Sequence, residues 1–190
     1  KVGASVAVEL KDLQATYEEP LESVFGTKNP AQETVKTVFE AQSKLELKPS
    51  KAKMSIAQPK VVIPVFPGTN CEYDSAFAFE KAGAKATIQV FRNLTLKDID
   101  ESLKELEKTI RESQILMIPG GFSLGDEPDG SGKFIAAVLS SPRISDAIAQ
   151  LLEKNDGLIL GVCNGFQALI KTGLLPYGEI KTLDSDTPTL

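Results

Sequence analysis

The chain has 190 residues, 42% hydrophobic and 25% charged, an ordinary globular composition with length enough for one sizeable domain and a smaller unit. Its 26 acidic residues outnumber 21 basic ones, and a net charge of -5 disfavours binding to nucleic-acid phosphates. No apolar run is long enough to cross a bilayer, no signal-peptide pattern opens the chain, and two cysteines without disulfide-type spacing suit a reducing, cytoplasmic setting.

The first residue is Lys1 rather than Met, which reads as a piece of a longer polypeptide. Val2, Ala4, Val6, Val8 and Leu10 share one parity, so residues 2–10 are predicted to form a half-buried strand, its partners lying upstream. A helix is predicted over 32–43. Residues 47–59 are rich in Lys, Pro, Ser and Gln and read as a linker. Residues 1–59 therefore form a short α+β tail plus linker, and a second unit runs over 60–190.

From Lys60 the pattern alternates between β and α. A buried strand is predicted over 61–66, although Pro64 argues against it because proline cannot donate to a ladder. A helix over 73–82 is closed by Gly83. A strand follows over 87–91, and Thr95 caps the next helix. In that helix Ile99, Leu103, Leu106 and Ile110 recur at helical spacing. Residues 115–118 are the third strand, followed by a glycine-rich loop over 119–132 and helices over 134–139 and 144–152. Asn155-Asp156-Gly157 turns the chain into a fourth strand over 158–162. A helix over 166–171 ends at Gly173. Strands separated by helices imply an α/β fold, a mostly parallel sheet with helices on both faces. Ligands in such sheets bind at the carboxyl ends of the strands. Three loops reach that edge, carrying PGTNCE, PGGFSLGDEPDGSGK and CNG.

The last loop sets Cys163 between Gly161 and Gly165. A nucleophile on a sharp strand-to-helix turn crowds its neighbours, and glycines two residues either side relieve the crowding. The turn also puts the sulfur at a helix N-terminus, where the positive end of the dipole favours thiolate. A buried structural cysteine packed by glycines is the competing reading. After the third strand, Gly120-Gly121 lets the backbone approach a ligand, and the N–H groups of Gly121 and Asn164 are candidate donors for an oxyanion. A plain flexible loop is the alternative there. Gly130-Ser131-Gly132-Lys133 is not a phosphate loop: Glu127 stands where a glycine is needed, Phe134 where Ser or Thr is needed, and Asp126 and Asp129 would repel phosphate. Those carboxylates match no metal-loop spacing and read as a solvated acidic turn. Cys71 lies on a loop at the same edge but has no elbow around it and reads as a packing residue, with contact to a ligand the alternative.

GVCNGFQALIKTGLLP, PGGFSLGDEPDGSGKF and FPGTNCEYD together resemble the glutaminase domains of phosphoribosylformylglycinamidine synthases, within the class I (triad) glutamine amidotransferases. The resemblance runs from about Lys60 to Leu190 and implies a flavodoxin-like sheet. Residues 1–59 would be the end of a synthetase body and its linker, which implies the single-chain form of the enzyme. Cys163 would attack the glutamine side-chain amide to give a glutamyl thioester and ammonia, with Gly121 and Asn164 holding the oxyanion. Gly120, Phe122 and Gln167 would line the glutamine pocket. Ammonia would pass to a synthetase domain that uses ATP and magnesium to form an amidine in purine biosynthesis. No cofactor or metal is expected in these residues, and no nucleic acid or membrane partner.

The family completes its triad with a histidine and a glutamate downstream of the cysteine helix, and this chain contains no histidine. The 190 residues alone are therefore expected to have negligible glutaminase activity, and to expose apolar surface or an unpaired strand edge. Two further readings compete. A thiol sensor or chaperone of a related fold would commonly carry histidine after the cysteine, where Asn164 stands. A docking domain would leave the cysteine idle.

Overall fold

The computed structural model describes residues 7–24, 56–123, 132–182, 184 and 187. The chain divides into two compact units, Lys1–Pro49 and Ser50–Leu190. In the first, helix α1 spans Leu10–Glu18. The strand expected over 2–10 fails in its described part, because residues 7–9 are irregular and Leu10 already opens the helix. Val8 and Leu10 are 54% and 80% exposed, so their alternation marks no buried face. Local bonds favour the helix instead, with Gln14 Nε2 donating to Glu18 and Thr16 Oγ1 to the Asp12 carbonyl. The helix expected over 32–43 lies outside the described residues, as does most of the stretch 47–59.

In the second unit the elements are β1 (Lys60–Val65), β2 (Thr69–Asn70), α2 (Glu72–Lys81), β3 (Lys85–Val90), α3 (Leu96–Arg111), β4 (Ile115–Ile118) and β5 (Gly120–Gly121). They continue with α4 (Lys133–Leu139), α5 (Pro142–Glu153), β6 (Leu158–Gly161), α6 (Asn164–Thr172) and α7 (Leu174–Tyr177). The main sheet has the order β3-β1-β4-β6, and every pair in it is parallel. The path from β1 to β3 runs one way across the sheet, and the path from β3 through β4 to β6 runs the other. Right-handed crossovers then put α2 on one face and α3, α4 and α5 on the other. The α/β class expected from the pattern is the fold found.

Strand β1 shows why Pro64 is tolerated. Gln114 N–H donates to the Lys60 carbonyl, so the even-numbered groups of β1 face β4. Pairing with β4 stops at Val62↔Leu116. The missing N–H of Pro64 therefore falls beyond the ladder on that side, while the β3 side is paired along the full strand.

The larger core lies between the sheet and α3, α4, α5 and α6. Val62, Leu116 and Ile118 meet Leu106 and Ile110 of α3, Leu139 of α4 and Leu151 of α5 there. Thr95 and Asp98 form the capping box that starts α3, with Asp98 N–H donating to Thr95 Oγ1 at 3.1 Å and Thr95 N–H to Asp98 Oδ2 at 3.0 Å. The opposite face holds Val61, Ile63 and Met117 against Ala76 and Phe79 of α2. Helix α2 packs on β1 and β3. Leu158 and Leu160 lie on that same face, in register with Ile115 and Met117, and remain 64% and 46% exposed. The expected exposed apolar surface is thus found on β6, which is an edge strand among the described residues.

Candidate active site

The order of strands reverses at β1, so the crevice favoured for ligands opens at the carboxyl ends of β1 and β4, with β6 next to them. Three phenylalanines pack together near the carboxyl ends of β1 and β3. Phe66 follows β1, Phe91 follows β3 and Phe134 lies in α4, and their ring centroids are 5.5–6.0 Å apart in tilted and edge-on contacts.

Cys163 stands between β6 and α6 with φ 51° and ψ −111°. A residue with a Cβ adopts this conformation only where the surroundings impose it. Two close approaches impose it. A Cβ on Gly165 would sit 2.2 Å from the Ile118 carbonyl oxygen, and one on Gly161 would sit 2.8 Å from the backbone of Gly165. The strand ends and the start of α6 are therefore pressed together, and Cys163 is forced outward at the bend. It is exposed and not disulfide-bonded. It occupies the N-cap position of α6, whose dipole presents positive charge to the sulfur. The alternative of a buried structural cysteine does not fit this placement.

The double glycine lies against it. A Cβ on Gly120 would stand 3.2 Å from Cys163 Cβ and 3.9 Å from its sulfur. Glycine at 120 is thus what lets this backbone come so close to Cys163. Gly120 and Gly121 are not a plain loop. They form β5, which pairs antiparallel with β2 through Asn70↔Gly120 and Thr69↔Gly121. Phe122 N–H donates to the Gly68 carbonyl at 2.9 Å. Gly121 has φ +119°, and a Cβ there would meet the Gly68 carbonyl oxygen at 2.3 Å. The loop after β1 thereby fixes the loop after β4, and Thr69 Oγ1 accepts the Phe66 N–H at 3.0 Å to fix the first of them. Nothing in the composition of GTN distinguishes this pairing from an ordinary turn, so sequence reading missed Gly68, Thr69 and Asn70.

Asn164, 2% exposed, is the first residue of α6. Its Oδ1 accepts the Ser123 N–H at 3.2 Å, and its Nδ2 donates to Gln167 Oε1 at 3.4 Å. Gln167 is half-buried on the same helix. Phe122 is 82% exposed, so its ring reaches out of the crevice wall. Cys71 is exposed, with φ 68° at the start of α2, so its reading as a packing residue is corrected. Its carbonyl accepts the Ser75 N–H and hydroxyl, and a left-handed turn there takes its side chain out of the core. The carboxylates Asp126, Glu127 and Asp129 lie outside the described residues. Gly132, with φ +77°, packs its backbone against Ala168 of α6 and starts α4. No helix among the described residues is long and apolar enough to cross a membrane.

Residues 58–190 match the CobB/CobQ-like glutamine amidotransferase domain family. The chain is 36% identical over 121 residues to phosphoribosylformylglycinamidine synthase subunit PurQ of Dehalococcoides mccartyi, covering 64% of this chain and 43% of that protein. It is 38% identical over 135 residues to the subunit of the same name from Methanococcus maripaludis, covering 68% of this chain and 45% of that one. The chain thus spans less than half the length of these curated relatives. A solved structure, that of PurLQS from Thermotoga maritima, is 31% identical, covers 62% of this chain and 46% of its own, and aligns with a TM-score of 0.43. With more than half of its residues matched from β1 onward, the chain belongs to the CobB/CobQ-like glutamine amidotransferase domain family.

Proposed function

We propose that this chain carries the nucleophile-bearing part of the glutaminase that supplies ammonia in phosphoribosylformylglycinamidine synthase. The observation that supports it most is Cys163 in its forced bend with the Gly120 backbone against the sulfur side chain. In this reading the thiolate attacks the side-chain amide carbon of glutamine, and the developing oxyanion takes hydrogen bonds from the Gly121 and Asn164 amides. The C–N bond then breaks, the leaving nitrogen takes up a proton to depart as ammonia, and a glutamyl thioester remains on Cys163. Water releases glutamate and restores the thiol. Gly120, Phe122 and Gln167 border the bound glutamine.

Protonating the leaving nitrogen and activating water both call for an acid–base group beside the sulfur. These 190 residues hold no histidine, so that group must come from outside them. The ammonia then serves a synthetase partner, which uses ATP and magnesium to form the amidine. Residues 1–59 belong to the body and linker of such a partner in a single-chain arrangement, in the cytoplasm.

A glutamine-like electrophile tests the site. It should label Cys163 and not Cys71, and glutamine should protect. Labelling that ignores glutamine, with ready oxidation of Cys163 by peroxide, would instead support a thiol sensor. Ammonia release by the 190-residue chain at saturating glutamine should be negligible, and turnover of a few per second would overturn the assignment of the base to residues outside it.

A further inference from the structure

The Gly120-Gly121 backbone is tethered on two sides. Toward β1 it is held by the β2–β5 ladder and the Phe122 to Gly68 bond. Toward the elbow, Ser123 N–H donates to Asn164 Oδ1 of α6 in a buried hydrogen bond 3.2 Å long. Ser123 and Asn164 are 3% and 2% exposed, so water does not compete at this contact. Asn164 immediately follows the nucleophile, and Ser123 lies two residues past Gly121. The bond therefore spans from one candidate oxyanion donor to the other. The second end of the same amide, Nδ2, donates to Gln167 Oε1, which fixes the direction in which Asn164 Oδ1 points. An amide suits this position because it accepts on one side and donates on the other. Leucine would leave the Ser123 N–H without this acceptor. Aspartate would keep the acceptor for the Ser123 N–H, with the Gln167 amide turned over to donate to its second oxygen.

We infer that the Asn164 side chain is a positioning residue that locks the Gly120-Gly121 backbone to the cysteine elbow, setting the distance between the two donors of the oxyanion site. This rests on the glutaminase reading above, while the lock itself is a structural claim that can be tested separately.

The test compares the intact 190-residue chain with its Asn164→Leu and Asn164→Asp variants by three readouts. Amide hydrogen exchange follows residues 120–123. A chloromethyl ketone analogue of glutamine gives kinact and KI at the Cys163 peptide, and iodoacetamide gives the reactivity of the same thiol without an oxyanion site. In Asn164→Leu, exchange at Ser123 should accelerate about tenfold or more. Removal of one oxyanion donor typically costs about 100- to 1000-fold, so displacement should lower kinact by about 10- to 100-fold. KI should stay within about threefold and the iodoacetamide rate within about twofold. Asn164→Asp should retain the Ser123 protection. Asn164→Ala carries the same reading if the leucine variant does not fold. Unchanged exchange at Ser123 in the leucine or alanine variant overturns the lock. A fall in the iodoacetamide rate equal to that in kinact also overturns it, because the elbow rather than the donor spacing would then have moved. Should the wild-type chain ignore the glutamine analogue, the glutaminase reading fails, and the exchange result alone decides the lock.

Discussion

Gly165→Ala is the sharpest perturbation of the elbow. Gly165 lies in the first turn of α6, a helix of nine residues, where alanine is favoured over glycine by about 0.8–1 kcal/mol. Helix propensity alone therefore makes the substitution stabilising. The tertiary structure reverses the sign. The added methyl carbon would stand 2.2 Å from the Ile118 carbonyl oxygen and 2.8 Å from both the Ile118 carbonyl carbon and the Pro119 oxygen. All three are backbone atoms at the end of a central strand, so no side-chain rotation clears them. Restoring ordinary contact requires α6 to move by roughly 1 Å, at a cost near the upper end of the ~1–3 kcal/mol typical of overpacking. The net expectation is a loss of about 2 kcal/mol, or roughly 4–8 °C in Tm for a unit of this size. A shift of about 1 Å at the elbow should also slow labelling of Cys163 by a glutamine analogue by about 100-fold. Gly83→Ala is the control, since nothing lies within 4 Å of a Cβ there and only its φ of +92° opposes alanine. Thermal denaturation and labelling kinetics on the two variants decide the matter. A Gly165→Ala chain as stable as wild type, with normal labelling, would refute the claim that close packing of α6 on β4 sets the bend.

Thr95→Ala should remove the capping box of α3 and cost about 1 kcal/mol in chemical denaturation. Glu107 is held below its ordinary value of 4.5 by hydrogen bonds from Arg143 and then Arg111. A depressed carboxylate stabilises the fold above its unfolded value, and that contribution disappears as pH falls through the folded value. The difference in urea midpoint between wild type and Glu107→Gln should accordingly be present near neutral pH and shrink below about pH 4. A difference that grows in acid would contradict the pairing. Leu158→Lys should change stability by less than about 0.5 kcal/mol because the side chain is exposed, whereas Leu116→Ala in the core should cost about 2–5 kcal/mol. Equal costs would show that another surface covers β6.

Much of the second unit was legible because its signals are local. Residues 115–118 are bounded by a polar turn and a glycine pair, and they form the strand expected. Thr95 with Asp98, Gly83 and Gly173 mark helix ends through bonds and dihedral angles that depend only on neighbours in sequence. The elbow was legible for the same reason, since glycines at 161 and 165 around Cys163 announce a crowded bend. Where a local signal lacked a partner it misled. The alternation across Val8 and Leu10 predicted a strand, but among the described residues of that unit the backbone satisfies itself as a helix instead.

The sequence by itself determined the alternating elements, the family and the residue that carries the sulfur. Only the tertiary structure decided what stands beside that sulfur. The pairing of Thr69 and Asn70 with the double glycine, and the reach of Asn164 to Ser123, join residues about 50 and 41 positions apart. Such contacts arise from the order of strands in the sheet, which brings three loop ends to one edge. Spacing along the chain showed that these loops share an edge but carries no record of the strand order that sets which of them lie side by side.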